Sequence, residues 1–260
     1  MTPHRVGLIV PSSNVTMETE IPALVSRHPA VADRGVTFHS SRATLHRVDA
    51  QSLRRMVTES DRCARELADA RLDVVAYACL IAVMASGPGA HQAEEQRLAA
   101  ALAAAGSAVP VTSSAGALVR ALQRLGASRV AIVAPYLKPL TEMVAGYLAG
   151  YGIKVVDSVS LEVADNVAVG RLDPARLTDH VRRLDLAAAD ALVLSACVQM
   201  PSLAVLDEVS RQTQVPVLTA ATATAAEVLS LLGHENAASN RNQAPFQWPG
   251  ESQDYQRCSG

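Results

Sequence analysis

Three motifs in the first half of the chain return, in the same order, in the second half. Arg5-Val-Gly-Leu-Ile-Val-Pro11 is echoed by Arg129-Val-Ala-Ile-Val-Ala-Pro135. Leu72-Asp-Val-Val-Ala-Tyr-Ala-Cys79 is echoed by Ala189-Asp-Ala-Leu-Val-Leu-Ser-Ala-Cys197, and Val109-Pro-Val-Thr-Ser-Ser114 by Val215-Pro-Val-Leu-Thr-Ala220. Each motif is a short, nearly continuous apolar run rich in Val and Ile, the pattern of a parallel strand covered on both faces. The strand-like segments are Arg5–Val10, Gly35–Ser40, Leu72–Ala78, Pro110–Thr112, Arg129–Ala134, Ile153–Ser158, Ala191–Ser195 and Pro216–Thr219. Helical periodicity fills the gaps at Gln51–Ala70, His91–Ala105, Ala115–Leu125, Leu140–Ala149, Pro174–Ala187, Leu203–Gln212 and Thr222–Leu232. Alternation of this kind predicts an α/β fold with right-handed crossovers. The repeat divides it into two pseudo-symmetric lobes, each a four-stranded parallel sheet flanked by helices. Residues 1–113 with 220–233 are expected to form one lobe and residues 114–219 the other. The polar stretch 234–260 has no apolar face and reads as a tail, with Phe246, Trp248 and Cys258 inside it.

In open parallel sheets ligands bind beyond the carboxyl ends of the strands. The repeat puts Cys79 and Cys197 at that end of equivalent strands. If the lobes face each other, the two cysteines share one cleft. Each is followed by a stretch that leads toward a helix N-terminus, where backbone N–H groups lower a thiol pKa and bind anions. Cys63, by contrast, falls on the apolar stripe of the Gln51–Ala70 helix and reads as a small core residue.

Composition narrows the partners. The net charge is −2, and only Lys138 and Lys154 are lysines. No basic block marks a nucleic-acid surface. No run reaches the ~18 apolar residues of a membrane span. Four cysteines in 260 residues, with no export signal, do not make a disulfide framework, so a cytoplasmic, reduced protein is expected. The seven histidines form no metal-binding motif, and no Walker loop or GxGxxG follows the first strand. Neither a metal nor another cofactor is therefore predicted.

The cysteine motifs Val75-Ala-Tyr-Ala-Cys79-Leu-Ile-Ala-Val-Met and Leu194-Ser-Ala-Cys197-Val-Gln-Met-Pro-Ser202, set on a two-lobed repeat, resemble the aspartate/glutamate racemase superfamily and, within it, the maleate cis–trans isomerases. Gly7-Leu-Ile-Val-Pro-Ser-Ser-Asn14 and Val133-Ala-Pro-Tyr136 extend the resemblance, which runs from about Val6 to Leu232. It implies a cofactor-independent isomerisation of a small dicarboxylate, maleate, by conjugate addition of a thiolate. Cys79 would be the nucleophile and Cys197 its partner. Asn14, Tyr136 and Asn166 would bind the carboxylates, and Pro11 with the backbone at Leu80, Ile81 and Val198 would line the pocket. By residue type alone, Asn14 is equally a helix cap, Tyr136 a strand-end residue and Asn166 a turn former. The surroundings Leu80, Ile81, Val83, Val198 and Met200 suggest a small apolar wall. Two other readings stay open: a two-cysteine racemase of the same superfamily, and a two-lobed binding protein without catalysis. A homo-oligomer, a two-fold dimer by the usual habit of such enzymes, is expected.

Overall fold

The structure is a computed structural model and describes residues 2–234 except His46 and Val48; the expected tail beyond His234, with Phe246, Trp248 and Cys258, lies outside the described residues. The first half runs β1 (His4–Pro11), α1 (Met17–Ser26), α2 (Pro29–Ala32), β2 (Val36–Ala43), α3 (Ala50–Ala68), β3 (Val74–Tyr77), α4 (Leu80–Met84), α5 (Ala90–Ala104) and β4 (Val111–Ser113). The second runs α6 (Ser114–Leu125), β5 (Arg129–Ala134), α7 (Lys138–Ala149), β6 (Lys154–Ser160), α8 (Asn166–Val169), α9 (Leu177–Val181), β7 (Ala191–Ser195), α10 (Leu206–Gln212), β8 (Val217–Thr219) and α11 (Ala220–Leu231).

All eight expected strands are present, in two parallel sheets of the same order: β2-β1-β3-β4 and β6-β5-β7-β8. In each, the first and third strands in sequence lie side by side at the centre. The chain therefore leaves β1 toward one side of the sheet and β3 toward the other, which opens a crevice at their carboxyl ends. The same holds for β5 and β7.

Burial explains the strand sequences. Val6, Leu8, Ile9 and Val10 of β1 are fully buried, as are Val130 to Ala134 of β5, so both faces of each central strand demand apolar side chains. Gly7 interrupts the run for a packing reason: a Cβ there would stand 2.4 Å from Leu72 Cδ1. α3 buries Leu53, Met56, Cys63, Ala64 and Leu67 along one stripe, and Asp49 starts it by accepting the Ser52 N–H (2.9 Å). Cys63 is thus a core residue, as its position on the stripe implied.

α11 shows the cost of a crowded position. It touches β3 and β4 of one sheet and β7 and β8 of the other, besides α1 and α6. Its sequence, Ala-Ala-Thr-Ala-Thr-Ala-Ala, is built of small side chains because neighbours close in on every side, and Ala220 to Leu229 are all buried. The one charge on this helix, Glu227, is paired with Arg120 and Arg124 of α6.

The helix expected over Pro174–Ala187 is corrected. It is a 3₁₀ turn at Pro174–Arg176, then α9, which stops at Val181. The chain turns over the next residues, and the Asp185 N–H is taken by Asp157 of β6 (2.8 Å). Leu184 is buried from that turn, which imitates helical spacing in the sequence.

Candidate active site

Four loops leave the central strands at the carboxyl ends of the two sheets and meet between the lobes. Pro11 ends β1 and leads to Asn14; two residues beyond β3 comes Cys79; two beyond β5 comes Tyr136; two beyond β7 comes Cys197. A small cavity lies where they converge. From the first lobe, Pro11, Asn14, Cys79, Leu80 and Ile81 line it; from the second, Tyr136, Asn166, Cys197 and Val198. Every residue given a catalytic or substrate-binding place from the sequence is thus brought to one place. Two more lining residues, Leu45 and Gln199, were not anticipated. Leu45 sits in an irregular loop beyond β2, where no periodicity flags it. Gln199 does carry a signal, since it is the one amide in the otherwise apolar run Cys197-Val-Gln-Met-Pro. Val83 and Met200, expected in the pocket wall, are packed in the core instead.

The two cysteines are presented differently. Cys79 has φ 87° and ψ 73°, a left-handed conformation that costs a non-glycine residue about 1–3 kcal/mol, and α4 starts immediately after it. The amides at the start of a helix have no partner within it, so the N–H groups of Leu80 and Ile81 are free to face a ligand at the cavity. Cys197 has no such strain and is followed by a turn; its sulfur accepts the Gln199 N–H at 3.4 Å. The helical turn toward which this stretch leads begins at Leu203, where the sequence pattern places it.

The polar side chains are held from behind. Asn14 Oδ1 accepts the Met17 N–H (3.0 Å) at the start of α1, so the capping role suggested by its residue type is real. Its Nδ2, however, is buried with no hydrogen-bond partner. A buried, unpaired donor is costly unless something fills it, and a carboxylate in the cavity would. Asn166, the first residue of α8, donates from Nδ2 to Ser13 Oγ (2.7 Å) across the lobes. The Tyr136 hydroxyl donates to the Ala196 carbonyl (3.1 Å), beside Cys197. Arg42 fixes the Asn14 loop from outside by donating to the carbonyls of Ser12 (2.8 Å) and Asn14 (3.0 Å).

Among the described residues no cation lines the cavity. Burial therefore dominates the thiols. It pushes Cys79 up to about 12, outweighing the Ala82 backbone N–H that pulls it down; the neighbouring Cys197 adds to the rise. Cys197 is also raised by burial, against hydrogen bonds from Tyr136 and the amides of Gln199 and Met200. The expectation that strand-end amides would lower the thiol pKa is thus reversed: desolvation of the charged form is the larger effect. Both thiols thus hold their protons more tightly than an ordinary cysteine does. Alkylation of Cys79 by iodoacetamide, followed by peptide mass spectrometry, should then keep accelerating from pH 7 to 10. A plateau below pH 8 would contradict it. The sign for stability is the same: the folded thiol holds its proton more tightly, so stability is intact below the ordinary thiol value of 9 and is lost as pH rises from there toward 12.

Among the described residues no cluster of three or more His, Cys, Asp or Glu is arranged to hold a metal ion. The arrangement suits a small anion with two acceptor ends and a centre open to sulfur attack.

Comparison with known proteins agrees. The sequence matches the family described as arylmalonate decarboxylase over residues 6–244. It is 54% identical over 229 residues to a maleate isomerase of Geobacillus stearothermophilus, covering 88% of this chain and 91% of that protein. The fold resembles that of the maleate isomerase Iso from Pseudomonas putida S16, solved as a cysteine-to-alanine variant with maleate (TM-score 0.87, 48% identity, 89% of this chain and 93% of that one). It also resembles a cysteine-to-serine variant of the Nocardia farcinica maleate cis–trans isomerase that carries a covalently bound succinylcysteine intermediate (TM-score 0.86, 48% identity, 90% and 94%).

Proposed function

This chain belongs to the arylmalonate decarboxylase family and, within it, to the maleate isomerases, and from that premise we propose that it isomerises maleate to fumarate with Cys79 as nucleophile and Cys197 as its partner. The observation that carries the assignment is the convergence of two buried thiols, from equivalent strands of the two lobes, on one cavity that also holds an unpaired Asn14 amide.

The reaction must make a double bond temporarily single. The Cys79 sulfur adds to one alkene carbon; the π pair moves to the other carbon, toward its carboxylate. Rotation about the C2–C3 bond, return of the electron pair and expulsion of the sulfur yield fumarate. The developing charge needs donors already in place. Asn14 Nδ2 and the amides of Leu80 and Ile81 supply them in one lobe and Asn166 and the Val198 amide in the other, with Tyr136 joining them by turning its hydroxyl from the Ala196 carbonyl toward the carboxylate. Pro11 and Leu45 shape the wall.

Protonation follows from burial. With both thiols neutral and the substrate dianionic, addition of a proton along with sulfur avoids a third buried negative charge. Cys197 gives its proton to the carbon that receives the π pair, and takes up the proton that Cys79 releases as its sulfur bonds. The net result is addition of the Cys79 sulfur and one proton across the double bond. After rotation the reverse elimination returns a proton to the thiol pair. The relative with a succinylcysteine has such a saturated adduct.

Proton NMR in D₂O with maleate as sole added substrate tests this. The vinylic signal of maleate should give way to that of fumarate, with deuterium entering the product. Exchange at Cα of an amino acid without maleate turnover would favour the racemase reading, and binding without turnover the non-catalytic one. A Cys197→Ser variant quenched in acid should carry one maleate-derived adduct on Cys79. Reactive thiols need a reducing compartment, which supports a cytoplasmic setting. A two-fold dimer, the commonest form of soluble homo-oligomers, is the assembly we propose.

A further inference from the structure

The Asn14 loop, α8 and the Cys197 loop belong to different lobes or follow different strands, yet one residue ties all three together, by its side chain to the first two and by its backbone N–H to the third. Gln199 is 2% exposed. Its Oε1 accepts the backbone N–H groups of Val15 (3.0 Å) and Thr16 (3.4 Å) in the first lobe. Its Nε2 donates to the carbonyls of Ser13 (3.0 Å) and Asn166 (2.9 Å). Both protons and both lone pairs of the amide are thus used, a complete satisfaction that fixes its orientation. Its own backbone N–H meets the sulfur of Cys197 (3.4 Å).

Two further observations mark the position as built. Gly170 leaves the space: a Cβ there would lie 2.6 Å from Gln199 Nε2. A second tie runs the other way. Glu20 of α1 is 8% exposed and accepts the N–H groups of Ser202 (2.7 Å) and Leu203 (2.8 Å), which close the far end of the Cys197 loop. The two lobes are therefore latched in both directions, by Gln199 from the second lobe and by Glu20 from the first.

We propose that Gln199 is a positioning residue for the isomerisation: its side-chain amide holds Asn14, Asn166 and the Cys197 sulfur in one register across the lobes. The inference rests on the maleate reading of the site and adds a role to it. Gln199 need not touch the substrate to matter, because displacing reacting groups by about 1 Å costs ~10²-fold in rate.

The test uses the full-length enzyme and three variants. Gln199→Leu removes all four side-chain hydrogen bonds. Gln199→Glu keeps the acceptor for Val15 and Thr16 but sets a carboxylate against two carbonyl oxygens. Gly170→Ala leaves Gln199 intact and crowds it. Maleate kinetics should show kcat lowered ~10²-fold in Q199L. The pH profile of Cys197 alkylation by iodoacetamide should move upward there, because the N–H that favours the thiolate is no longer held against the sulfur. In Q199E, kcat relative to the parent should recover as pH falls from 8 to 6, because a protonated carboxyl again donates. That recovery is one that a merely structural role would not produce. Q199L with kcat within about threefold of the parent, or an unmoved alkylation profile, overturns the proposal. If Q199L does not fold, G170A decides: a lowered kcat with a shifted Cys197 profile supports the role, and anything less overturns it. Should the parent enzyme turn over no maleate, the alkylation arm still reads the positioning while the maleate reading fails separately.

Discussion

Replacing Cys79 by alanine should lower maleate turnover by at least ~10⁴-fold while leaving the fold intact, since loss of a covalent nucleophile removes the step on which the others depend. Cys79→Gly sharpens the test. The φ of 87° at this position is strained for cysteine and unstrained for glycine. The glycine variant should therefore be inactive yet no less stable than the alanine variant, with a gain of about 1 kcal/mol over it from relief of the left-handed backbone. Steady-state assays and thermal melts read the two effects separately. Substantial activity in either variant would remove Cys79 from the chemistry and leave its strained backbone without a purpose.

The second large effect concerns Asn14, whose two side-chain atoms have different duties. Oδ1 caps α1 through the Met17 N–H, and Nδ2 is buried without a partner at the cavity. Asn14→Ala should lose both, costing ~10²–10³-fold in kcat/KM and about 1 kcal/mol of stability. Asn14→Asp separates them. It keeps the acceptor that caps the helix, and places a negative charge where the helix favours one. It also turns the donor into an acceptor facing a dianion. Its melting temperature should stay near the parent's while kcat/KM falls at least as far as in the alanine variant. An Asn14→Asp enzyme with parental activity would show that the unpaired amide has no part in binding.

The strands were legible because a parallel strand buried on both faces leaves few alternatives to Val, Ile, Leu and Ala, and the repeat reported the same unit twice. α1 was not. Pro22 inside it and the polar Glu18, Thr19 and Glu20 dilute its apolar stripe, and Glu20 is polar for a reason that lies in the other lobe. The five-residue α4 is too short to show a period. Leu45 and Gln199 escaped for a related reason: what places them at the cavity is the meeting of segments remote in sequence.

Local sequence was enough to specify two copies of one parallel unit and to place a cysteine at the end of the same strand in each, because strand burial and strand ends are properties of neighbouring residues. Only the tertiary arrangement decided that the two thiols hold their protons more tightly than ordinary cysteines, that Asn14 keeps an unpaired N–H, and that one lobe latches the other through Gln199 and Glu20. Those outcomes depend on desolvation and on hydrogen-bond partners as much as 186 residues away, and no window along the chain contains them.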